Sequence, residues 1–290
     1  MQQQESIILS REPSLPGLFA KAALKRPHKQ KSDLELPALS VNMRGVKINH
    51  ERLRQYHKVC GFQDTQVLPP TYPQIMAFGP YMRLLTDQRF PLPLIGLVHL
   101  RNEITQYRPI LPEEVLDFEC SLAGQHQSDK GLEFDILTKV YIAGRLVWEN
   151  TATLLHRNRK RSGGKREPKE HQRQAFDHRL FWQLPENLGR QYAQVSGDYN
   201  LIHLHMLTAR FFGFKQPIAH GLWSKARCIA QLTENQTHRP LRVKVSFKLP
   251  IFLPGAVDMV WRQQDNRCEF ELVSHKDGKP HLEGLLEWLD

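Results

Sequence analysis

A chain of 290 residues, 40% of them hydrophobic, can bury one large core or two ordinary ones. Its formal charge of +10 raises the question of a nucleic-acid partner. However, "HRNRKRSGGKREPKEHQR" (156–173) and "KAALKRPHKQK" (21–31) carry the excess, so the basic charge is expected on a linker and an N-terminal arm rather than a domain face, and no nucleic acid is expected. No apolar run reaches the roughly 18 residues of a membrane span and no signal peptide is visible, and the single, scattered Cys60, Cys120, Cys228 and Cys268 suggest reduced thiols; the expectation is a soluble cytoplasmic protein.

The predicted elements start after the arm (1–37). "PQIMAFGPYMRLLTD" (73–87) reads as a helix with a kink near Gly79 and Pro80. "VHLRNEITQYRPILPEEVLDFECSL" (98–122) reads as two strand-like runs around a proline break. "LEFDILTKVYIAGRLVWENTATLL" (132–155) reads as two long strands around a turn at Ala143, Gly144 and Arg145. The basic linker, 157–177, follows. Beyond it, "LHMLTARFFGF" and "GLWSKARCIAQL" carry apolar residues at helical spacing, and the cluster of Phe211, Phe212 and Phe214 is expected in the core. In "LRVKVSFKL" (241–249), Leu241, Val243, Val245, Phe247 and Leu249 alternate with polar residues, the period of a strand with one buried face. "VDMVWR", "CEFELVSH" and "HLEGLLEWL" complete a meander, the last two joined by a turn at Lys276 to Lys279.

The two sides of the linker share one layout, helix first and then sheet. "YHKVCGF" (56–62) parallels "YAQVSGD" (192–198), and "VKVSFKLPIFLPGAVDMVW" parallels the strand, proline break and strand of the first half. The chain is therefore read as α+β, a duplicated unit with domains at 38–156 and 178–290.

The stretch "YAQVSGDYNLIHLHMLTARFFGFKQPIAHG" concentrates chemistry-bearing residues. Alone, Asp198 and Asn200 read as an Asx turn or helix cap. Asp198, His203 and His205 offer metal-ligating atoms, but His203 and His205, two apart at a helix start, face different ways, and no metal is expected.

Tyr192, Ser196, Asp198, Asn200, Ile202 and His203, followed by Gly213, Phe214, Pro217, Ile218, His220, Gly221 and Leu222, resemble the signature of the MaoC-like, R-specific enoyl-CoA hydratase family. The chain departs from it at Leu201, where proline is usual, and at His205, often aspartate. The resemblance implies a double hot dog: two antiparallel sheets, each wrapping a central helix, fused as a pseudo-dimer, with the N-terminal unit non-catalytic. It also implies reversible hydration of trans-2-enoyl thioesters to (R)-3-hydroxyacyl thioesters in fatty-acyl metabolism. The catalytic residues would be Asp198, His203 and Gly221, with Ser196, Asn200, His220 and Leu222 supporting. Asn200 would orient His203 or the water, and Ser196 would brace the loop.

Such a hydration needs a base for the water, an acid for the α-carbon and a donor for the thioester oxygen, and Asp198, His203 and the Gly221 amide can supply them. In the first half Phe62 stands at the place of Asp198 and Val67 at that of His203, so one site per chain is expected, with the vacated half free to hold the acyl tail. No cofactor is expected beyond the substrate's own coenzyme A or phosphopantetheine. Coenzyme A is the favoured carrier, with an acyl carrier protein as the alternative, and a homodimer is possible. A hot-dog thioesterase and a non-catalytic acyl-carrier-binding module remain as competing readings.

Overall fold

The computed structural model describes residues 5–25, 34–63, 66–94, 96–157, 176–234, 236 and 238–290. Most of the basic linker and the end of the basic arm stretch lie outside these residues.

The first half runs β2 (Leu39–Val46), α2 (His50–Cys60), α3 (Tyr72–Met76), α4 (Phe78–Leu85), β3 (Leu97–Gln106), β4 (Leu116–Ser128), β5 (Gly131–Ile142) and β6 (Arg145–Arg157). The second runs β7 (His178–Leu184), α5 (Leu188–Ser196), a 3-10 turn (Leu201–His203), α6 (Met206–Phe211), α7 (Gly221–Leu232), β8 (Leu241–Phe247), β9 (Gly255–Gln264), β10 (Arg267–Ser274) and β11 (Pro280–Trp288). Each half thus begins with a strand rather than a helix. The expected helix at 73–87 is broken at Ala77, between α3 and α4.

The halves do not keep separate sheets. One eleven-stranded sheet runs β1-β2-β4-β5-β6-β3-β8-β11-β10-β9-β7, where β1 (Glu5–Leu9) is an added parallel edge strand. Read inward from either end, both halves place their strands in the same order, as a duplicated unit requires. The join is the antiparallel pair β3 and β8, with Arg101 opposite Ser246 and Gln106 opposite Leu241. Ion pairs of Glu103 with Lys244 (3.2 Å) and Arg242 (3.7 Å) cross this seam, but the partners are 39–50% exposed, so each contributes at most about 1 kcal/mol. Burial beneath the seam is the larger effect: Ile104, Val243, Trp148, Trp223, Tyr56 and Tyr192 belong to one core common to both halves, and each such side chain contributes about 1.5–3 kcal/mol.

Local chemistry explains the elements. Ala143 and Gly144 both take positive φ (48° and 76°), giving the tight turn between β5 and β6. In β8, Leu241, Val243 and Val245 face the core, while Leu249, expected to continue the alternation, lies beyond the strand and is exposed. The N-terminal arm is folded where it is described: α1 (Leu15–Leu24) packs on α4 through Phe19 and Phe78, and Lys25 donates to the carbonyls of Leu85 and Asp87. Part of the arm's charge is therefore docked rather than solvated.

A buried polar pin fastens α7 to the first half. The Lys225 ammonium, 1% exposed, donates to Gln74 of α3 (2.6 Å) and to the Asn102 carbonyl oxygen of β3, which also accepts from Asn150 (3.0 Å). Burial pushes the Lys225 pKa far down. The Trp223 indole, also on α7, donates to the Val59 carbonyl of α2 (3.0 Å). Asn102→Leu is expected to lower the unfolding free energy by about 3 kcal/mol, because the amine loses an acceptor while still buried. Adding Lys225→Met should restore most of it in chemical denaturation; strictly additive losses would refute the pin.

Candidate active site

The site begins where α5 ends. Gly197 closes α5 in the left-handed conformation (φ 80°), its amide bonded to Ala193 O, as Gly61 (φ 75°) closes α2 on His57 O. The two caps superpose "YHKVCGF" on "YAQVSGD", and Tyr56 and Tyr192 lie ring to ring at 6.3 Å. Phe62 therefore does stand at the place of Asp198.

After Gly197 the backbone is held by short-range bonds. The Asp198 amide donates to Ser196 Oγ (3.1 Å), so Ser196 braces the loop as expected, and the Asn200 amide donates to Asp198 Oδ1 (3.2 Å). Asn200 is exposed, and its side-chain oxygen accepts from the Ile202 amide at the head of the 3-10 turn. It caps the turn that carries His203, the role that Asp198 and Asn200 suggest when read alone, and makes no hydrogen bond to the imidazole among the described residues.

His203 is buried, and its Nδ1 lies 2.7 Å from Ile218 O. A carbonyl can only accept, so Nδ1 carries the proton and Nε2 is left as the basic nitrogen. His205 is exposed and accepts from the Leu207 amide through Nδ1, outside the site. His220, foreseen as a supporting residue, is central. Its ring stacks on His203 at 3.7 Å, its Nε2 donates to Asp198 O (3.0 Å) and lies 4.0 Å from Asp198 Oδ2. Its buried Nδ1 has no hydrogen-bond partner among the described residues. One donor atom each from Asp198, His203 and His220 lie within 4.8 Å of one another, so a divalent cation would find three ligands here. Two of the ring nitrogens are already committed to backbone carbonyls, which leaves one free nitrogen per ring for any other task.

Electrostatics bring the two expected partners toward each other. Burial raises the Asp198 pKa, opposed by His203 nearby and by the bond from the Asn200 amide. Burial lowers that of His203, opposed by Asp198, and lowers His220 further with His203 adding to the effect. The proton affinities of carboxylate and imidazole thus converge, the condition for exchanging a proton cheaply in either direction. The Asp198 side chain keeps 25% exposure against 2% for His220, so the cluster opens toward solvent on the Asp198 side.

Gly221, which follows His220, is exposed and is the first residue of α7, so its amide has no acceptor within the helix and sits at the positive end of its dipole. A methyl group there would come within 3.0 Å of the Phe247 ring. Leu222 is partly buried against the core.

The first half differs by more than two substitutions. Leu68 donates to Ile110 O as Ala219 donates to Ile251 O, Ile110 and Ile251 each standing in the proline break of its half. Val67 therefore corresponds to Ile218, not to His203 as expected. The chain spans 62 to 68 in one half and 198 to 219 in the other, so His203 and α6 lie on an insertion that the first half lacks. Pro69 and Pro70 fall where His220 and Gly221 stand, removing the imidazole and the free amide together. A small pocket lined by Phe62, Val67, Leu68, Pro69 and Pro70 remains there.

Sequence reasoning missed Gly189, within α5. A methyl group at this position would lie 1.9 Å from His203 O, so only glycine lets α5 approach the 3-10 turn.

Residues 165–284 match the model of the MaoC like domain. The 3-hydroxyacyl-thioester dehydratase X of Mycobacterium tuberculosis is 29% identical over 281 residues, 96% of this chain and 99% of that protein. The crystal structure of HtdX from the same organism superposes with a TM-score of 0.75 at 27% identity, covering 86% of this chain and all of that one. The peroxisomal enoyl-CoA hydratase 2 of Arabidopsis thaliana is 24% identical over 205 residues, 66% of each chain.

Two outcomes follow from the geometry. Gly189→Ala, which meets no substrate, should displace His203 and cut turnover by about 10² through misplacement alone, with the fold retained in circular dichroism; full activity would show that the turn relaxes freely. Burial also lowers His281, and His99 to about 3, so with His203 and His220 four histidines resist protons in the folded chain that the unfolded chain takes up below the ordinary histidine value of about 6.5. Stability should be fully present above that value and fall as pH drops toward 5, Asp198 opposing with the reverse sign. A melting temperature that rises from pH 7.5 to 5 would contradict this.

Proposed function

We propose that this chain is a hydro-lyase of the MaoC-like, double hot-dog kind, acting on acyl thioesters and interconverting trans-2-enoyl and (R)-3-hydroxyacyl thioesters in fatty-acyl metabolism. The observation that carries this reading is the pairing of the half-buried Asp198 with the buried His203 beside the free amide that opens α7.

In the hydration direction the thioester oxygen accepts from the Gly221 N–H, where the helix dipole favours the negative charge of an enolate. A water between Asp198 and His203 Nε2 gives up a proton to one of them as its oxygen bonds to the β-carbon. The other delivers a proton to the α-carbon, and the enolate collapses back to the thioester. Water adds across the double bond with no net change in the pair's protonation. Because the water and the proton donor stand on the same face of the double bond, addition is syn, and dehydration runs the same steps in reverse. His220 contributes by position: it holds the Asp198 backbone and, stacked on His203, disfavours a second positive charge. Ser196 and Asn200 set the loop, and Leu222 anchors the first turn of α7.

The names of the relatives support a dehydratase or hydratase; R specificity and the carrier are part of the proposal. Coenzyme A and a carrier protein present the same phosphopantetheine arm, and either thioester suits this chemistry. Thioester hydrolysis would not require a base and an acid held on one water, which ranks it below hydration. Asp198→Asn and His203→Ala are each expected to lose about 10² to 10⁴ of kcat on crotonyl-CoA with the native circular dichroism retained. Normal turnover in both, or an (S)-3-hydroxyacyl product, would overturn the assignment, and release of free thiol without hydroxyacyl product would favour hydrolysis.

A further inference from the structure

The insertion that brings His203 into the site also builds a surface that the hydration chemistry does not use. On its outer side Leu207 and Phe211, one turn apart on α6, are 69% and 85% exposed, although Phe211 was expected in the core. Tyr199 (47%), Leu201 (46%) and Met206 (37%) extend this apolar face to the edge of the Asp198 loop. The face is tied to the site, because Thr208 Oγ1 of α6 donates to Leu201 O (2.7 Å) in the turn that holds His203. Five exposed apolar side chains gathered on one short segment beside a site mouth mark an interaction surface rather than chance exposure.

Its surroundings define the partner. From Tyr199 to Thr233 the chain contains no Asp or Glu. Arg190, Arg210 and Lys215 are exposed, and none of them forms an ion pair among the described residues. Lys215 sits over the Phe252 ring at 5.3 Å, and Arg190 donates to Leu204 O (3.0 Å), so both are fixed at the base of the insertion. An apolar centre with a basic rim is the anatomy of a docking site for an acidic protein surface. A second copy presenting this same face would set one basic rim against another, and a nucleotide would leave the apolar centre uncovered.

We infer that this face of the insertion, centred on Leu207 and Phe211 and rimmed by Arg190, Arg210 and Lys215, docks an acidic acyl carrier protein, whose phosphopantetheine arm enters past Asp198. This rests on the hydratase reading and assigns it a protein-bound substrate.

The test compares crotonyl thioesters of a purified acidic acyl carrier protein and of coenzyme A, using the whole chain, Arg210→Glu and a Leu207→Ser/Phe211→Ser double variant. Each variant should lower kcat/KM on the carrier-linked substrate about tenfold or more, as loss of an interface anchor or of a complementary charge does, while coenzyme A turnover stays within about twofold. Binding of the fluorescently labelled carrier protein should weaken in parallel. Equal losses on both substrates, no loss on either, or no carrier binding by the unaltered chain would overturn the docking site. So would a dimer by sedimentation that the double variant converts to monomer. If the unaltered chain turns over neither substrate, the hydratase reading fails, and the binding measurement alone decides the docking.

Discussion

The antiparallel pairing of β3 with β8 is the constraint on which the rest of the molecule depends. It turns two small sheets into one and forces the helices they carry to bury against each other. Helix α7 is consequently gripped by groups from the first half: Val59 O on its indole, and Gln74 and Asn102 on its lysine. A helix held on that side cannot rotate or slide, so its first amide, at Gly221, is fixed in space before any ligand arrives. Preorganisation of this kind is what a polar transition state rewards, since the donor need not be ordered during the reaction.

The first half is therefore part of what positions the candidate site of the second. Its own version of the site is dismantled at three levels: Phe62 replaces the carboxylate, Pro69 and Pro70 replace imidazole and amide, and the segment carrying the second base is missing. What it keeps is packing surface. The division of labour follows from geometry, as one continuous sheet needs both halves but one substrate needs only one pair of proton carriers.

The cluster itself shows how burial does chemical work. Desolvation moves Asp198 up and His203 down, toward each other, and the stacked His220 keeps the pair from gaining another charge. The same burial that brings the two proton affinities together makes the fold sensitive to acid.

Much of this was legible in the residues. The alternation of Leu241 to Phe247, the helix Gly221 to Leu232, the turn at Ala143 and Gly144, and the glycine that follows each half's Tyr-x-x-Val motif all act through neighbours within a few positions, so a linear pattern records them. The spacing of Asp198 to His203 did so too, because one loop and one turn set their separation. The cap formed by Asn200 was legible for the same reason, whereas helices α2 and α5, the strands that open each half, the place of Gly189 and the centrality of His220 were not. Each depends on a partner distant in sequence: β2 on β4, His220 on Asp198, Gly189 on His203 O. Local sequence determined which segments could form and which residue types could carry protons. Only the packing of one half on the other decided where those segments lie, because burial, the quantity that sets both position and proton affinity, does not exist until the sheet is joined.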